Sequence, residues 1–257
     1  MKDLTDYNSK AWDNEVDKKN KWTVPVDTAT LMNARKGDWS IVLTPLKPVP
    51  SAWFHAPPAK TLCLASGGGQ QGPILAAAGY DVTVFDNSKK QLQQDINVAE
   101  ENDLQLQTMS GVMEDLSQIK DETFDMVINP CSIIYTEDPL KVFSEVLRVL
   151  KPGGVFMIGF SNPINWLFDF QKAKKGEYVL KYSQPYSDLK SLEKNELEEL
   201  VNGNEPLLFA HSLDVLIGGQ IRSGFNITDM LEDYGDETDD LRKYYPGFIA
   251  TRAVKNR

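Results

Sequence analysis

The chain is 257 residues long, with 41% hydrophobic and 25% charged residues, an ordinary globular composition that supplies a sizeable core and excludes wholesale disorder. Its 27 Lys+Arg against 37 Asp+Glu leave a net charge of −10, which disfavours a nucleic-acid backbone or an anionic membrane surface as a general partner. No stretch approaches the ~20 apolar residues of a membrane span, Met1–Tyr7 has no apolar signal core, and Cys63, Cys131, His55 and His211 form neither a disulfide framework nor a metal-ligand pattern, so a cytoplasmic protein without metal is expected.

Residues 1–58 read as an aromatic, proline-rich extension that packs on the domain following it. Trp12 and Val16 give a short amphipathic helical face, and Pro25, Pro45, Pro48, Pro50, Pro57 and Pro58 preclude long helices over most of 23–58. From residue 59 onward the texture changes. Leu62–Ala65 is a short apolar strand closed by Ser66-Gly67-Gly68-Gly69, and Pro73–Ala78 is a helix stopped by Gly79. A second strand spans Asp81–Asp86, and Ser88 caps a helix to about Glu101. Leu106–Val112 and Phe124–Asn129 are the third and fourth strands. Asp138-Pro139 opens a helix to Leu150, Lys151-Pro152-Gly153-Gly154 stops it, and Val155–Phe160 is the fifth strand. Strictly alternating strands and helices predict a parallel sheet with right-handed crossovers and helices on both faces. Residues 161–206 interrupt the alternation with Trp166, Phe168, Phe170, Tyr178, Tyr182, Tyr186 and an acidic helix over Ser187–Val201, as expected of a lid that selects a substrate or of aromatics that seal an insertion. A helix over 207–222, a strand over Phe225–Leu231, an acidic turn at Tyr234–Asp240 and a last strand over Phe248–Val254 complete the chain.

In open α/β sheets, ligands bind beyond the carboxyl ends of the strands. The first such end is Ala65-Ser66-Gly67-Gly68-Gly69-Gln70, whose glycines let backbone approach a ligand closely. Gly67, Gly69 and Gly72 match the dinucleotide fingerprint, and Asp86, 19 residues after Gly67, stands where a carboxylate accepts two ribose hydroxyls. After the third strand, Glu114-Asp115 offers carboxylates for an adenine amine, although Asp115 equally suits a helix cap.

These features resemble the class I S-adenosylmethionine-dependent methyltransferases, in particular the small-molecule, type 11-like group. The resemblance runs from about Lys60 to Phe160, through Leu64–Gly69, Asp86, Glu114-Asp115, Phe124–Val127 and Leu150–Gly154. It implies a Rossmann-like α/β fold: a seven-stranded, mostly parallel sheet with an antiparallel C-terminal hairpin. It implies S-adenosyl-L-methionine as cofactor, held by Ala65, Ser66, Gly67, Gly69, Gln70, Asp86, Asn87, Met113, Glu114, Asp115 and Asn129, with Tyr7 and Trp22 closing over it. The reaction implied is in-line methyl transfer to a small-molecule acceptor. The chain departs from the family where Ala65-Ser66 replaces the usual acid before the first glycine, leaving Ser66, Gln70 or Asn129 as neutral substitutes. Asn129-Pro130-Cys131-Ser132 is not the Asn-Pro-Pro-aromatic motif of the adenine and glutamine N-methyltransferases. A nicotinamide-dependent oxidoreductase shares the glycines and Asp86, and a non-catalytic cofactor-binding protein shares the fold. Cys131 reads as a small buried residue, His55 as packing, and His211 as a surface or capping residue. No catalytic base, acceptor or oligomeric state is specified by any pattern in the chain.

Overall fold

The structure is a computed structural model that describes residues 4–235 and 240–256. Five parallel strands come first: β1 (Lys60–Leu64), β2 (Asp81–Asp86), β3 (Leu106–Ser110), β4 (Phe124–Asn129) and β5 (Leu150–Ser161). β8 (Phe225–Asp233) and β9 (Phe248–Lys255) join them in a seven-stranded sheet of order β3-β2-β1-β4-β5-β9-β8, and β9 is antiparallel to both β5 and β8. The expected Rossmann-like class and the C-terminal hairpin are both present. Because the strand order reverses between β1 and β4, the chain leaves these two strands toward opposite faces of the sheet, the position at which such sheets open a ligand crevice.

Both faces of this sheet are covered, which is why β1 and β4 read as continuous apolar runs rather than alternating ones. On one face lie α3 (Gln71–Ala77) and α4 (Lys89–Glu101), and on the other α5 (Pro139–Val149) and α9 (Gly219–Arg222). Ser88 caps α4 by accepting from the Gln91 N–H, and Asp138 caps α5 ahead of Pro139. The extension contributes α1 (Leu4–Asp17) and α2 (Thr28–Ala34), and its Ile41, Leu43, Val49 and Trp53 share one core with Cys63, Val84, Ile128 and Met157 of the sheet. Gly159 is needed there: a Cβ at 159 would lie 1.8 Å from the Leu43 carbonyl oxygen.

Several boundaries differ from expectation. The third strand ends at Ser110, and the Gly111 N–H makes the last ladder bond, to the Asp86 carbonyl of β2. The fully buried positions of α1 are Asn8, Ala11 and Glu15, while Trp12 is half-buried and packs edge-on against Tyr135. After the short α6 (Phe170–Ala173), the acidic helix is two helices, α7 (Asp188–Ser191) and α8 (Lys194–Asn202), because Glu193 and Glu196 form a capping box that starts a new helix. The helix expected from 207 begins later. Phe209–Ala210 is a strand, β7, paired with β6 (Tyr186–Ser187), and a π-helical turn at Asp214–Gly218 leads into α9. Asp188 fixes that ribbon by accepting from the Leu208 N–H and the Tyr186 hydroxyl. Residues 236–239 of the expected acidic turn lie outside the described residues. No described helix is long and apolar enough to cross a membrane.

Candidate active site

A cavity of about 700 Å³ opens over the carboxyl ends of β1, β2, β3, β4 and β5. Its β1 edge is the turn after Leu64. Ala65 has φ +46°, and Gly68 and Gly69 have φ +110° and +74°, a left-handed path that lets backbone rather than side chains face the cavity. Two buried acids hold this turn. Asp86 Oδ2 accepts from the Gly67 N–H at 3.0 Å and its Oδ1 from the Ser88 N–H at 2.9 Å. Asp95 of α4 accepts from the Gly68 N–H at 3.0 Å. Burial raises the Asp86 carboxyl above the usual carboxylate range even though backbone N–H groups pull it back down. Each carboxylate oxygen has two lone pairs, so Asp86 can still accept from ligand hydroxyls.

Of the residues expected to hold the cofactor, Ala65, Ser66, Gly67, Gln70, Asp86, Asn87, Met113, Glu114 and Trp22 line this one cavity. Gln70 also ties the extension down, since its Nε2 donates to the carbonyls of Lys21 and Val24. Four residues stand elsewhere. The Tyr7 hydroxyl donates to the Glu205 carbonyl. The Gly69 carbonyl is taken by the Val26 N–H, and the open side of Gly69 faces Pro25 and Val98. Asp115 Oδ1 accepts from the Ser117 N–H, the capping role weighed for it. Asn129 is fully buried, with Nδ2 donating to the Leu64 carbonyl at 2.8 Å. Tyr7 misses the cavity because it lies on the side of α1 that meets the insertion, whereas Leu4, Thr5, Asn8 and Trp12 of the same helix face the opening.

The helix α1 bridges both sides of the opening. The Ser9 hydroxyl donates to the Asn87 carbonyl at 2.7 Å, and Asp13 Oδ1 accepts from the Ser88 hydroxyl and the Lys90 N–H. On the far side Asn8 makes a two-way bond with the backbone of Leu207, at 2.9 Å each way.

Val42, Leu43 and Pro45 of the extension, Cys131, Trp166, Leu208 and Phe248 add apolar walls to the cavity, beside the polar Thr44 and Tyr135 and the charged Glu137, Asp138 and Lys141. Cys131 sits at φ +47° on the cavity wall and is half-buried rather than the fully buried residue expected; its desolvated surroundings still push the thiol up to about 12, which disfavours a thiolate nucleophile. The Ser132 hydroxyl is spent on the carbonyls of Ala65 and Pro130 and so ties the β1 and β4 ends together. Within the stretch 161–206, Ser161 and Trp166 reach this cavity. Phe170, Tyr182 and Tyr186 pack edge-on and tilted against one another, and Trp166 meets Phe170 edge-on and stacks on Tyr186, sealing the insertion. His211 is not a surface residue: its ring is tucked in with Nε2 at 2.8 Å from the Thr136 carbonyl, and burial lowers its pKa. His55 packs through its backbone, to Met126 and to the Tyr80 hydroxyl.

Sequence reading missed Val42–Pro45, Gln91, Leu208 and Phe248, all of which line the cavity. None lies in a local motif. Buried polar atoms without a protein partner mark the same walls: Gln91 Oε1 and Trp166 Nε1. A turn with positive-φ glycines, two acids able to accept from hydroxyl and amine donors, and unpartnered polar atoms suit a nucleoside ligand with a second molecule beside it.

Comparison with known proteins agrees with this geometry. The model of a family described as a methyltransferase domain matches residues 62–158. An uncharacterised methyltransferase of Bacillus subtilis (strain 168), YbaJ, is 47% identical over 258 residues, covering 99% of this chain and 100% of that protein. The crystal structure of an S-adenosylmethionine-dependent methyltransferase from Mesorhizobium loti superposes with a TM-score of 0.62 at 18% identity, over 79% of this chain and 94% of that one. One from Methanosarcina mazei gives 0.60 at 19% identity, over 82% and 99%. Taken with the sheet order and the Gly-rich turn over its crevice, these similarities make the chain a member of the class I S-adenosylmethionine-dependent methyltransferases.

Proposed function

We propose that this methyltransferase acts on an uncharged, largely apolar small molecule seated over β4 and β5. The observation that carries the reading is the lining of one cavity. Its β1–β3 edge presents backbone, Asp86 and Glu114, the charged Glu137, Asp138 and Lys141 follow β4, and the extension, the insertion and the C-terminal segments add the apolar walls Leu43, Pro45, Trp166, Leu208 and Phe248. A charged acceptor would lose its hydration against those walls at a cost of several kcal/mol, whereas an apolar one gains roughly 25 cal/mol per Å² buried.

Bound S-adenosylmethionine supplies an electrophilic methyl group on a sulfonium. Asp86 and Asn87 are assigned to the ribose, Met113 and Glu114 to the adenine, and Ala65–Gln70 to the amino-acid end. Ser66 and Gln70 offer only neutral hydrogen bonds there, in place of the absent acid. The chain's contribution is alignment and exclusion of water, with α1 roofing both ligands. The unpartnered indole N–H of Trp166 offers a hydrogen bond to an oxygen or nitrogen of the acceptor. Acceptor choice is accordingly placed in Val42–Pro45 of the extension and Trp166 of the insertion.

Transfer of a labelled methyl group into a cell extract tests the reading. The label should appear in a small product extractable into organic solvent. Label confined to highly charged metabolites, to protein or to nucleic acid would refute it. Trp166→Phe should weaken acceptor turnover several-fold while leaving cofactor affinity within about twofold, a difference below ~0.5 kcal/mol.

A further inference from the structure

We propose that Asp95, in the second turn of α4, is a positioning residue for the cofactor: from beneath, its carboxyl holds the Gly-rich turn in the shape on which the cofactor sits. This rests on the reading that the turn after β1 seats the cofactor, and it adds a residue that itself lies outside the cavity lining.

The geometry is specific. Asp95 is fully buried, and its Oδ2 accepts from the Gly68 N–H at 3.0 Å, a donor it shares with the Gln91 backbone carbonyl of the same helix at 3.1 Å. The preceding N–H, that of Gly67, goes to Asp86 Oδ2 at the same distance. Two consecutive amides of the turn are thus tied to two acids on different elements, one at the end of β2 and one on α4. Between them Gly68 takes a φ of +110°, and a free peptide beside two such glycines has several low-energy orientations. Fixing those amides fixes the adjoining backbone of Ser66 and Gly67, which faces the cavity.

Nothing in the packing of α4 calls for an acid at this position. Its buried neighbours on the helix include Leu92, Val98 and Ala99. The second oxygen, Oδ1, has no hydrogen-bond partner and rests where a Cβ on Gly72 would come within 3.3 Å. A buried carboxyl with an orphan oxygen costs stability that an apolar residue would not. Burial, with the charge of Asp86 adding to it, pushes the group up to about 8, so at neutral pH it is mostly a protonated acid whose carbonyl oxygen accepts from the turn. An asparagine presents the same acceptor, and a leucine of similar volume presents none.

Calorimetry with S-adenosylhomocysteine as the probe, alongside thermal melting, tests this on the full chain. Asp95→Asn should bind within about threefold of the wild type. Asp95→Leu should bind at least tenfold more weakly while melting no lower than the wild type. Affinity and stability then move apart, which a purely structural residue would not produce. Asp95→Ala supplies the same comparison if the leucine variant does not fold. The proposal is overturned if the folded Leu or Ala variant binds within threefold of the wild type, or if Asn is as weak as Leu. It is equally overturned if both Leu and Ala fail to fold while Asn does not. Failure of the wild type itself to bind the probe would instead remove the cofactor reading, and the proposal with it.

Discussion

Replacing Asp95 by asparagine should also flatten the dependence of folding stability on pH. The carboxyl is raised to about 8 in the folded protein, against ~3.9 in an unfolded chain. Between those values the folded state keeps a proton that the unfolded state has released. The associated stability is therefore fully present below about pH 4 and is lost progressively as pH rises to about 8, at up to 1.36 kcal/mol per pH unit. From pH 5.5 to 7.5 the wild type should lose ~2.5 kcal/mol through this one group. Asparagine does not titrate, so the variant's stability should gain on that of the wild type by ~2.5 kcal/mol over the same two units. Any fixed cost of its unpartnered amide hydrogens is the same at every pH, and the titration of Asp86 acts on both proteins. Urea unfolding followed by circular dichroism at several pH values gives the difference directly. A gap between variant and wild type that stays constant within ~0.5 kcal/mol would show that Asp95 is ionised in the fold and that the burial argument is wrong.

Asp86→Ala removes the acceptor of two buried backbone N–H groups and the proposed ribose contact; S-adenosylhomocysteine affinity should fall at least tenfold by calorimetry, ~1.4 kcal/mol or more, and unchanged affinity in a folded variant would place the ribose elsewhere. Gly159→Ala puts a Cβ 1.8 Å from the Leu43 carbonyl; expression should yield aggregated protein or one melting well below the wild type, at a cost of ~3 kcal/mol or more, and an unchanged melting temperature would contradict the seating of 41–43 on β5. Asn8→Ala breaks both bonds to Leu207 and should cost about 2–4 kcal/mol in urea unfolding; stopped-flow release of S-adenosylhomocysteine should quicken, and an unaltered release rate would mean that α1 is not a roof. With its thiol pushed up to about 12, Cys131 should react with iodoacetamide at pH 8 about a thousandfold more slowly than free cysteine, and rapid alkylation of the folded protein would refute its inert reading.

The sequence alone determined the parts of this protein that are built from consecutive residues. The run Leu62–Leu64 followed by glycines, Asp86 at the end of Asp81–Asp86, and the caps Ser88 and Asp138 specify their own strands, turns and helix starts. Local backbone preference and one-sided or two-sided burial leave few alternatives there. That is why the sheet and much of its cofactor edge were legible. Tertiary structure decided everything that depends on which distant segment arrives. Trp166 reaches the cavity while Phe170 and Tyr182 of the same insertion seal it, a choice made by the fold of the insertion and not by residue type. Asn129 Nδ2 donates to the Leu64 carbonyl of the neighbouring strand, and a residue at the expected place in sequence stays out of the cavity lining. Tyr7 and Leu4 lie within one turn of α1 yet meet the insertion and the cavity respectively. Asp95 carries no local signal, because its partner is a glycine amide 27 residues earlier, brought within 3.0 Å only when β1, β2 and α4 have packed.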